Sequence, residues 1–295
     1  MVLAIRIDVD TRIGLHEGVP RLLDLLRRYS LRASFFVSFG PDHSGRALRR
    51  LWRPSFVLKM LRTNPLRLYG LRTLLSGTLL PSRPIGEGNP DSLRAIEAEG
   101  HELGIHGYDH VRWQDRLEKM GEAEVEAELR KSVSAYERIL ESRPLSTAAP
   151  GWRCTPQSLA AQDRFHFSYA SDVRGSHPFL PVHNGQLFKT LQIPTTLPTL
   201  DELIGRTERV NDVLLSSLRD GLNVHTIHAE VEGRPYLPLF EDFLKEICRR
   251  KTEVILMRDV TERILKNDLA NVPRLPVTRG KLPGRSGWVA CQGAS

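Results

Sequence analysis

Apolar and polar residues alternate with two different periods in the first part of the chain. Residues 4–9, AIRIDV, alternate at every second position and include β-branched side chains, which predicts a strand. Residues 18–30 repeat leucines at helical spacing behind Pro20, a residue favoured in a first helical turn, and so predict a helix. Residues 32–40 predict a second strand that ends at Gly40. A strand, a helix and a strand at this spacing form a βαβ unit, which requires a parallel sheet covered by helices.

The alternation of short strands with helices continues along most of the chain. Residues 90–99 predict a helix, 101–106 a short strand and 117–141 a long surface helix with apolar residues at helical spacing. Further strands are predicted over 146–149, 166–170, 191–193, 223–229 and 253–257, and further helices over 155–163, 211–220 and 240–250. We therefore predict an α/β fold, an irregular TIM-like (β/α) barrel, formed by residues 1–265 as one domain. Residues 266–295 are rich in Pro, Gly and Arg without periodicity and predict a disordered basic tail.

One stretch of the chain carries most of the excess positive charge. The formal net charge is +7, and no acidic residue occurs between Asp42 and Glu87. The cations of that interval are Arg46, Arg49, Arg50, Arg53, Lys59, Arg62, Arg67, Arg72 and Arg83. Because leucines and aromatic residues lie between them, we interpret residues 45–83, the basic insertion, as a helical segment that rests on an anionic membrane surface or binds phosphate. The alternative is a helical hairpin that packs on the core with its arginines in solvent.

Composition also limits the partners and the location of the protein. Nucleic acid is not expected as a partner, because no nucleic-acid-binding motif accompanies the positive charge. The three cysteines, Cys154, Cys248 and Cys291, predict neither a disulfide framework nor a zinc pattern and favour a reducing compartment. No apolar run reaches the roughly 20 residues of a membrane span, and the charged N-terminus does not resemble a signal peptide. We expect a cytoplasmic protein without a spanning helix.

Two pairs of polar residues lie where predicted strands end, which in a parallel barrel is the edge that carries functional sites. Asp8 and Asp10 point to the same side of the first strand, and two close carboxylates repel each other unless a cation lies between them. His106 and His110, four residues apart, follow another strand. Asp10 with both histidines would form a two-histidine, one-carboxylate metal site that leaves positions for water and substrate. The alternatives are two surface histidines and an ordinary cluster of carboxylates at a strand end.

A third histidine lies near the end of a later strand. The run VHTIHAE places Thr226, His228 and Glu230 on one face of that strand. His228 is therefore a candidate contributor to the same site. A core histidine that hydrogen-bonds a backbone carbonyl is the alternative interpretation.

Several motifs, in their order along the chain, resemble the polysaccharide deacetylase (NodB-homology) family, metal-dependent enzymes that remove N-acyl or O-acyl groups from sugars. The motifs are RIDVDT, EGVPRLL, GPD, GHELGIHGYDH, AAPGWR, SDVRG, QIPTTLPTLDE, IGR and TIHAEVEG, and the resemblance covers residues 3–262. The set is similar to one branch, whose members remove the formyl group from undecaprenyl-phosphate 4-deoxy-4-formamido-L-arabinose for lipid A modification and cationic peptide (polymyxin) resistance. The resemblance implies a (β/α) barrel of the NodB-homology type with a basic helical insertion.

The resemblance also implies roles for individual residues. Asp8 would be the general base, Asp10, His106 and His110 would bind the metal, and His228 would be the general acid. One residue separates the two aspartates, where the common family motif has adjacent aspartates, so the roles of Asp8 and Asp10 could exchange.

Further residues are candidates for the surroundings of that site. AAPGWR places Arg153 after the aromatic residue, so either Arg153 or Arg174 of SDVRG would orient the base. The backbone N–H near Trp152 is the candidate donor to an oxyanion. Asp172 and Glu230 are candidate partners of the residues that contact the metal or the substrate.

A polyprenyl-phosphate substrate gives the basic insertion a function, because arginines between apolar residues offer phosphate contacts and interfacial anchoring together. The candidates for these contacts are Arg49, Arg50, Arg53, Lys59 and Arg62. We expect a peripheral protein on the cytoplasmic face of the bacterial inner membrane. Two histidines and a carboxylate suit zinc, cobalt, manganese or iron as the one divalent metal ion.

Three other functions fit parts of the sequence. A related carbohydrate N-deacetylase would act on another amino sugar and release acetate instead of formate. A glycosyltransferase would use DVD to hold a metal and a nucleotide sugar, but only seven residues precede Asp8, where a nucleotide-binding half normally comes first. A non-enzymatic lipid-binding protein predicts that His106→Ala leaves function unchanged.

Overall fold

Short strands alternate with helices through most of the chain. The computed structural model describes residues 1–52, 57, 58, 60, 62, 70, 71, 73–266 and 271–294, without the side chains of residues 48, 49 and 51. In chain order the strands are β1 Val2–Val9, β2 Ser34–Val37, β3 Glu102–Ile105, β4 Ser146–Thr147, β5 Tyr169–Ala170, β6 Leu180–His183, β7 Gln186–Leu187, β8 Leu191–Gln192, β9 Leu222–His228, β10 Glu253–Ile255, β11 Arg274–Gly280 and β12 Val289–Gln292. The α-helices are α1 Val19–Arg28, α2 Pro90–Ala98, α3 His110–Arg116, α4 Glu122–Leu140, α5 Pro156–Phe165, α6 Leu200–Leu203, α7 Val210–Ser216, α8 Leu237–Arg249 and α9 Met257–Lys266. Short helical turns cover Gly14–Gly18, Ser44–Trp52, Leu117–Lys119 and Pro150–Trp152.

The main sheet is parallel and curls around a polar interior. Among the described residues its order is β10-β1-β2-β3-β4-β5-β8, and β9 pairs with β1 along its whole length up to Asp8. On its other edge, β1 pairs with β10 through its first residues and with β2 through its last residues. The N–H groups of Thr196 and Leu197 both donate to the carbonyl of Val224, at 3.1 and 3.2 Å, and bring the segment after β8 against β9. The predicted irregular (β/α) barrel is confirmed.

Alternation along β1 separates the main core from the barrel interior. The odd-numbered residues from Leu3 to Val9 are fully buried and pack with the leucines of α1. The even-numbered residues point to the other face, where the guanidinium of Arg6 lies 5.5 Å from the ring centroid of Phe36. Burying each aliphatic side chain contributes roughly 1.5–3 kcal/mol, so core packing fixes the register of β1 and with it the face that carries Asp8.

The C-terminal segment differs from the sequence prediction. Residues 266–295 were expected to be a disordered tail, but β11 and β12 pair antiparallel, and β11 pairs parallel with β6, in a sheet of order β12-β11-β6-β7. Leu275 and Ala290 are buried there beside Phe179 and Phe188. The prediction of disorder is wrong for 271–294. The few apolar residues of this segment pack against a hairpin that is distant in sequence, so the segment itself shows no hydrophobic periodicity.

The basic insertion is described in part. Residues Ser44–Trp52 form a short helix. Exposed apolar side chains lie at its last residue and beyond it, with Trp52 75%, Leu58 68%, Leu71 62% and Leu79 81% exposed. The predicted boundaries of the insertion and of a single domain over 1–265 stay predictions. None of the described helices combines the length and the hydropathy needed to cross a membrane.

Candidate metal centre

Three predicted ligands converge at the carboxyl end of the parallel sheet. One ligand atom from each of Asp10, His106 and His110 lies within 4.8 Å of the others. The carboxylate of Asp10 lies between the two imidazoles, with Oδ1 3.2 Å from Nε2 of His106 and Oδ2 3.1 Å from Nε2 of His110. The geometry is the two-histidine, one-carboxylate arrangement predicted from the sequence.

Strand register brings these ligands to one level of the barrel. Phe36 of β2 pairs with Asp8 on one side and with Gly104 on the other, so the residues two positions later, Asp10 and His106, follow at the same level the two strands that flank β2. Gly104 leaves room for this arrangement, because a Cβ there would lie 2.7 Å from the ring of Phe36. The N–H of His106 continues the ladder by donating to the carbonyl of Val37.

The second histidine is placed by the start of a helix. Asp109 precedes α3 and accepts the N–H of Arg112 at 2.9 Å, a side-chain cap that fixes His110 as the first helical residue. Asp109 also contacts Nδ1 of His43 at 2.7 Å. The side-chain amide of Gln114, one turn along, lies 3.3 Å from Nε2 of His110.

The electrostatics of the cluster suit a cation. Burial alone would raise the pKa of Asp10, but His110 and His106 lower it well below its usual value, so this carboxylate is ionised. Burial would lower the pKa of His106, and Asp8 and Asp10 more than reverse that effect and raise it. Oδ1 of Asp10 is buried and accepts no hydrogen bond from the described residues. An ionised oxygen without a donor, beside two imidazole nitrogens, fits a divalent metal ion.

Asp8 is held by a residue that the sequence analysis missed. Arg6 donates from Nε to Oδ1 and from Nη2 to Oδ2 of Asp8, both at 2.7 Å, a bidentate pair fully inside the protein. Oδ2 of Asp8 lies 3.7 Å from Nε2 of His106, so this carboxylate borders the three ligands. The signal was present in the sequence, because residues two apart on a strand share a face and RIDVD therefore places Arg6 beside Asp8.

The two arginines expected to orient the base lie elsewhere. The guanidinium of Arg153 lies 4.1 Å from the ring centroid of Trp288 in the C-terminal segment. Arg174 forms a 2.5 Å ion pair with Glu202 and donates to the carbonyl of Leu197. The expectation that either one orients Asp8 is wrong, since Arg6 occupies both oxygens of that carboxylate.

The loop after β4 also corrects an expectation. Trp152 has a left-handed φ of 54°, and its N–H donates to the carbonyl of Ala149 at 3.2 Å, while the N–H of Arg153 donates to Pro150 at 3.3 Å. The N–H groups of Trp152 and of the next residue, where one backbone donor to an oxyanion was predicted, are therefore used by the turn. The indole N–H of Trp152 donates to Thr195 at 3.0 Å, and the ring lies 5.3 Å from the guanidinium of Arg6. Trp152 thus packs behind the Arg6–Asp8 pair.

Asp172 supports the same loop through three hydrogen bonds that its carboxylate accepts. Its carboxylate accepts the N–H of Ala149 at 2.8 Å and the side-chain amides of Gln162 and Gln192 at 2.6 and 3.2 Å. Burial raises the pKa of Asp172, and the hydrogen bond from Gln162 is the largest effect in the opposite direction. The described contacts of Asp172 hold the loop and do not include a metal ligand.

The third candidate histidine, His228, lies on β9, the strand that pairs with β1. His228 ends β9 in register with Asp8, and its N–H donates to Glu232 at 2.9 Å. Burial raises the pKa of Glu232 to about 8. Oε2 of Glu230 accepts the backbone N–H of Asp10 at 3.5 Å. Burial, together with the negative charge of Asp10, raises the pKa of Glu230 well above its usual value. Glu232 was another residue missed from the sequence.

Five cations of the basic insertion were candidates for phosphate or membrane contacts, and the structure describes only some of them. Arg53, Lys59 and the side chain of Arg49 lie outside the described residues. Arg62 donates to the backbone carbonyls of Asp201, Glu202, Ile204 and Gly284. Its guanidinium links the insertion to two other segments, which contradicts its predicted role as a phosphate contact. Arg50 donates to Gln114, whose side-chain amide in turn lies 3.3 Å from Nε2 of the ligand His110.

Comparison with known proteins agrees with this geometry. Residues 3–170 match the family described as polysaccharide deacetylase. A protein of Shewanella sediminis (strain HAW-EB3) is 38% identical over 98% of this chain and 93% of its own length. A protein of Wigglesworthia glossinidia brevipalpis is 33% identical over 95% of this chain and 98% of its own length. Both carry the name probable 4-deoxy-4-formamido-L-arabinose-phosphoundecaprenol deformylase.

Solved structures share the fold at low sequence identity. A crystal structure from Mycobacterium smegmatis, described as a polysaccharide deacetylase, has a TM-score of 0.66 at 19% identity, over 95% of this chain and 94% of that one. A mutant of the peptidoglycan deacetylase PdaC from Bacillus subtilis has a TM-score of 0.54 at 13% identity, over 90% of this chain and 92% of that one. The family match, the two relatives and the shared fold lead to one conclusion: this chain belongs to the polysaccharide deacetylase family.

Proposed function

We propose that the protein is a metal-dependent amide hydrolase that removes the formyl group from undecaprenyl-phosphate 4-deoxy-4-formamido-L-arabinose. The products are formate and the 4-amino sugar lipid used for lipid A modification and cationic peptide resistance. The observation that carries the proposal is the cluster of Asp10, His106 and His110 beside the Arg6–Asp8 pair, in a chain whose two relatives are named for this deformylation.

One divalent ion, held by Asp10, His106 and His110, would complete the site. Zinc, cobalt, manganese and iron all suit this set of ligands. When bound, such an ion supplies Lewis acidity, which polarises a carbonyl oxygen and makes hydroxide available near neutral pH.

The chain's own groups supply the proton transfers. Asp8 accepts hydrogen bonds from Nε and Nη2 of Arg6 and lies next to His106. It takes the proton of the attacking water. His228, in register with Asp8 on the neighbouring strand, gives a proton to the departing amine. Without that proton the tetrahedral species would collapse back to substrate, because an amide anion is a poor leaving group.

The basic insertion would place the protein on the cytoplasmic leaflet of the inner membrane. The substrate's lipid chain lies in the bilayer, so its phosphate and sugar are presented at the membrane surface, where an interfacial segment can reach them. Exposed Trp52, Leu58, Leu71 and Leu79 lie in a stretch with no acidic residue between positions 42 and 87. This mixture suits an anionic lipid surface.

Release of formate tests the proposal directly. The protein is stripped of metal, refilled with single ions and given the formylated lipid-linked sugar and its acetylated analogue. We expect formate from the first substrate, and loss of activity in His106→Ala and Asp10→Asn. Faster release of acetate from the analogue would favour the related deacetylase, which the family description also fits. Release of neither acid by any refilled form would overturn the proposal.

A further inference from the structure

We propose that the guanidinium of Arg50 binds the phosphodiester of the lipid-linked substrate, where the basic insertion meets the metal centre. The inference deepens the proposed function by naming the residue that recognises the phosphate. It rests on three observations: the contacts that fix Arg50, a guanidinium nitrogen left without a partner, and the position of Arg50 between an exposed aromatic residue and a metal ligand.

Two neighbours on α3 fix the plane of this guanidinium. Nε of Arg50 donates to Asp115 at 2.7 Å, and Nη1 donates to the side-chain oxygen of Gln114 at 2.8 Å. The side chain of Arg50 is 17% exposed, so most of it is enclosed by the protein. A guanidinium held on two of its nitrogens loses little further freedom when it binds an anion.

The remaining nitrogen lacks an acceptor in the part of the chain that the structure describes. Nη2 of Arg50 is buried and forms no hydrogen bond with the described residues. A buried donor without an acceptor is costly, so native structures normally provide one, from the protein, from water or from a ligand. Phosphate oxygens are well suited to this fork, because they accept charge-assisted hydrogen bonds from guanidinium.

The location of Arg50 matches the order of groups in the substrate. In that lipid the apolar chain, the phosphate and the sugar follow one another. In the protein Trp52, 75% exposed, lies two residues from Arg50, and Gln114 connects Arg50 to Nε2 of the ligand His110 through contacts of 2.8 and 3.3 Å. A sugar at the metal centre and a lipid chain at Trp52 would place the phosphate beside Arg50.

Other arginines near the centre already face carboxylates or backbone carbonyls. Arg6 uses all three nitrogens on Asp8 and Ser171, and Arg62 binds backbone carbonyls. Arg174 and Arg285 also have a nitrogen without a hydrogen-bond partner among the described residues, Nε and Nη1, but their guanidinium groups lie against the buried carboxylate of Glu202 and the ring of Trp152. Arg50 is the described arginine that joins the insertion to a metal ligand.

The test compares two substrates in matched variants. Formate release is measured from the lipid-linked sugar and from a phosphate-free methyl glycoside of the same formamido sugar. Because a charge-assisted hydrogen bond is lost, we expect Arg50→Ala to reduce the advantage of the lipid substrate in kcat/KM by about 10-fold to 100-fold, mainly through KM. Arg50→Lys, which retains the charge without the fork, should recover part of this loss. Arg21→Ala, an exposed arginine of α1, is the control.

Binding separates this inference from the proposed function. Undecaprenyl phosphate in neutral detergent micelles should bind at least about tenfold more weakly to Arg50→Ala than to the unaltered protein, whether or not formate is released. Binding to phosphatidylglycerol vesicles should change far less. Equal losses of activity on both sugar substrates, or unchanged binding of undecaprenyl phosphate, would overturn the assignment in favour of a structural role for Arg50. An equal loss of binding to vesicles would overturn it in favour of a general lipid contact. If Arg50→Ala does not fold, Arg50→Gln replaces it.

Discussion

Arg6 and Asp8 form a buried, bidentate ion pair beside the three ligands. Their side chains are 0% and 3% exposed, and both carboxylate oxygens accept from the same guanidinium. Arg6→Ala leaves a buried carboxylate alone, which should lower the free energy of unfolding by about 3–5 kcal/mol. Arg6→Lys retains the charge but releases one oxygen, and the resulting misplacement of Asp8 should reduce kcat by about 100-fold.

Thermal unfolding and formate release measure these two effects. Arg28→Ala is the matched control, since Arg28 forms exposed ion pairs with Asp24 and Glu241 whose loss costs at most about 1 kcal/mol. Full activity in Arg6→Lys would show that Asp8 does not need the bidentate contact.

Glu232 links stability to pH. Its folded-state pKa of about 8 lies above the ordinary value of 4.5, so the folded protein retains a proton that the unfolded chain has lost. The free energy of unfolding should therefore fall as pH rises from about 4.5 to about 8 and then level off. Glu232→Gln, which can still accept the N–H of His228, should remove that part of the slope, worth on the order of a few kcal/mol. Denaturant unfolding of both proteins at about pH 5 and about pH 9 measures it; parallel slopes would contradict the assignment.

Sequence patterns identified side chains at this scale better than they identified contacts. Asp10, His106 and His110 could be predicted because motif spacing places each ligand at a strand end. Arg6 was not predicted, because the motifs that imply an arginine beside the base lie further along the chain, although strand alternation alone places Arg6 beside Asp8. The hydrogen bond of the Trp152 N–H could not be predicted, because it depends on a left-handed backbone conformation that no local pattern specifies.

At the scale of elements, the start of α1 is fitted closely against the turn that carries His228. A Cβ on Gly18 would lie 2.0 Å from the carbonyl oxygen of Ala229, the residue after His228. A backbone atom cannot rotate away, so Gly18→Ala must shift the helix or the turn. We expect a loss of about 1–3 kcal/mol in the free energy of unfolding and a fall in kcat larger than any change in KM. Arg21→Ala on the exposed side of the same helix is the control, and equal behaviour of the two variants would refute the close fit.

The C-terminal strands are the element that sequence reasoning could not supply. Their pairing partners, β6 in particular, lie about ninety residues earlier, and Pro276 and several glycines hide the strand period. Limited proteolysis should leave residues 271–294 attached to the folded protein, because Leu275 and Ala290 are buried in a common cluster with Phe179. Truncation after residue 270 should expose that cluster and lower the unfolding temperature. Rapid cleavage within 274–292 without loss of activity would instead support the prediction that this segment is a disordered tail.

The whole molecule joins a buried polar centre to an exposed, basic and apolar surface. Large exposed apolar side chains concentrate in the basic insertion, and the formal net charge of +7 comes largely from the same stretch. Membrane binding should therefore have two separable parts. The electrostatic part should weaken with salt, because the screening length falls from about 10 Å at 0.1 M to about 3 Å at 1 M. The apolar part should persist.

Vesicle sedimentation with and without anionic lipid separates the two parts. Trp52→Ser together with Leu79→Ser removes apolar contacts of roughly 1.5–3 kcal/mol each if both side chains enter the lipid, so binding should fall by at least about tenfold at every salt concentration. Leu145→Ser is the matched control, since Leu145 is 59% exposed but lies outside the insertion. A similar loss of vesicle binding in both variants would mean that any exposed apolar side chain contributes to binding. The basic insertion would then not be the specific membrane-binding surface.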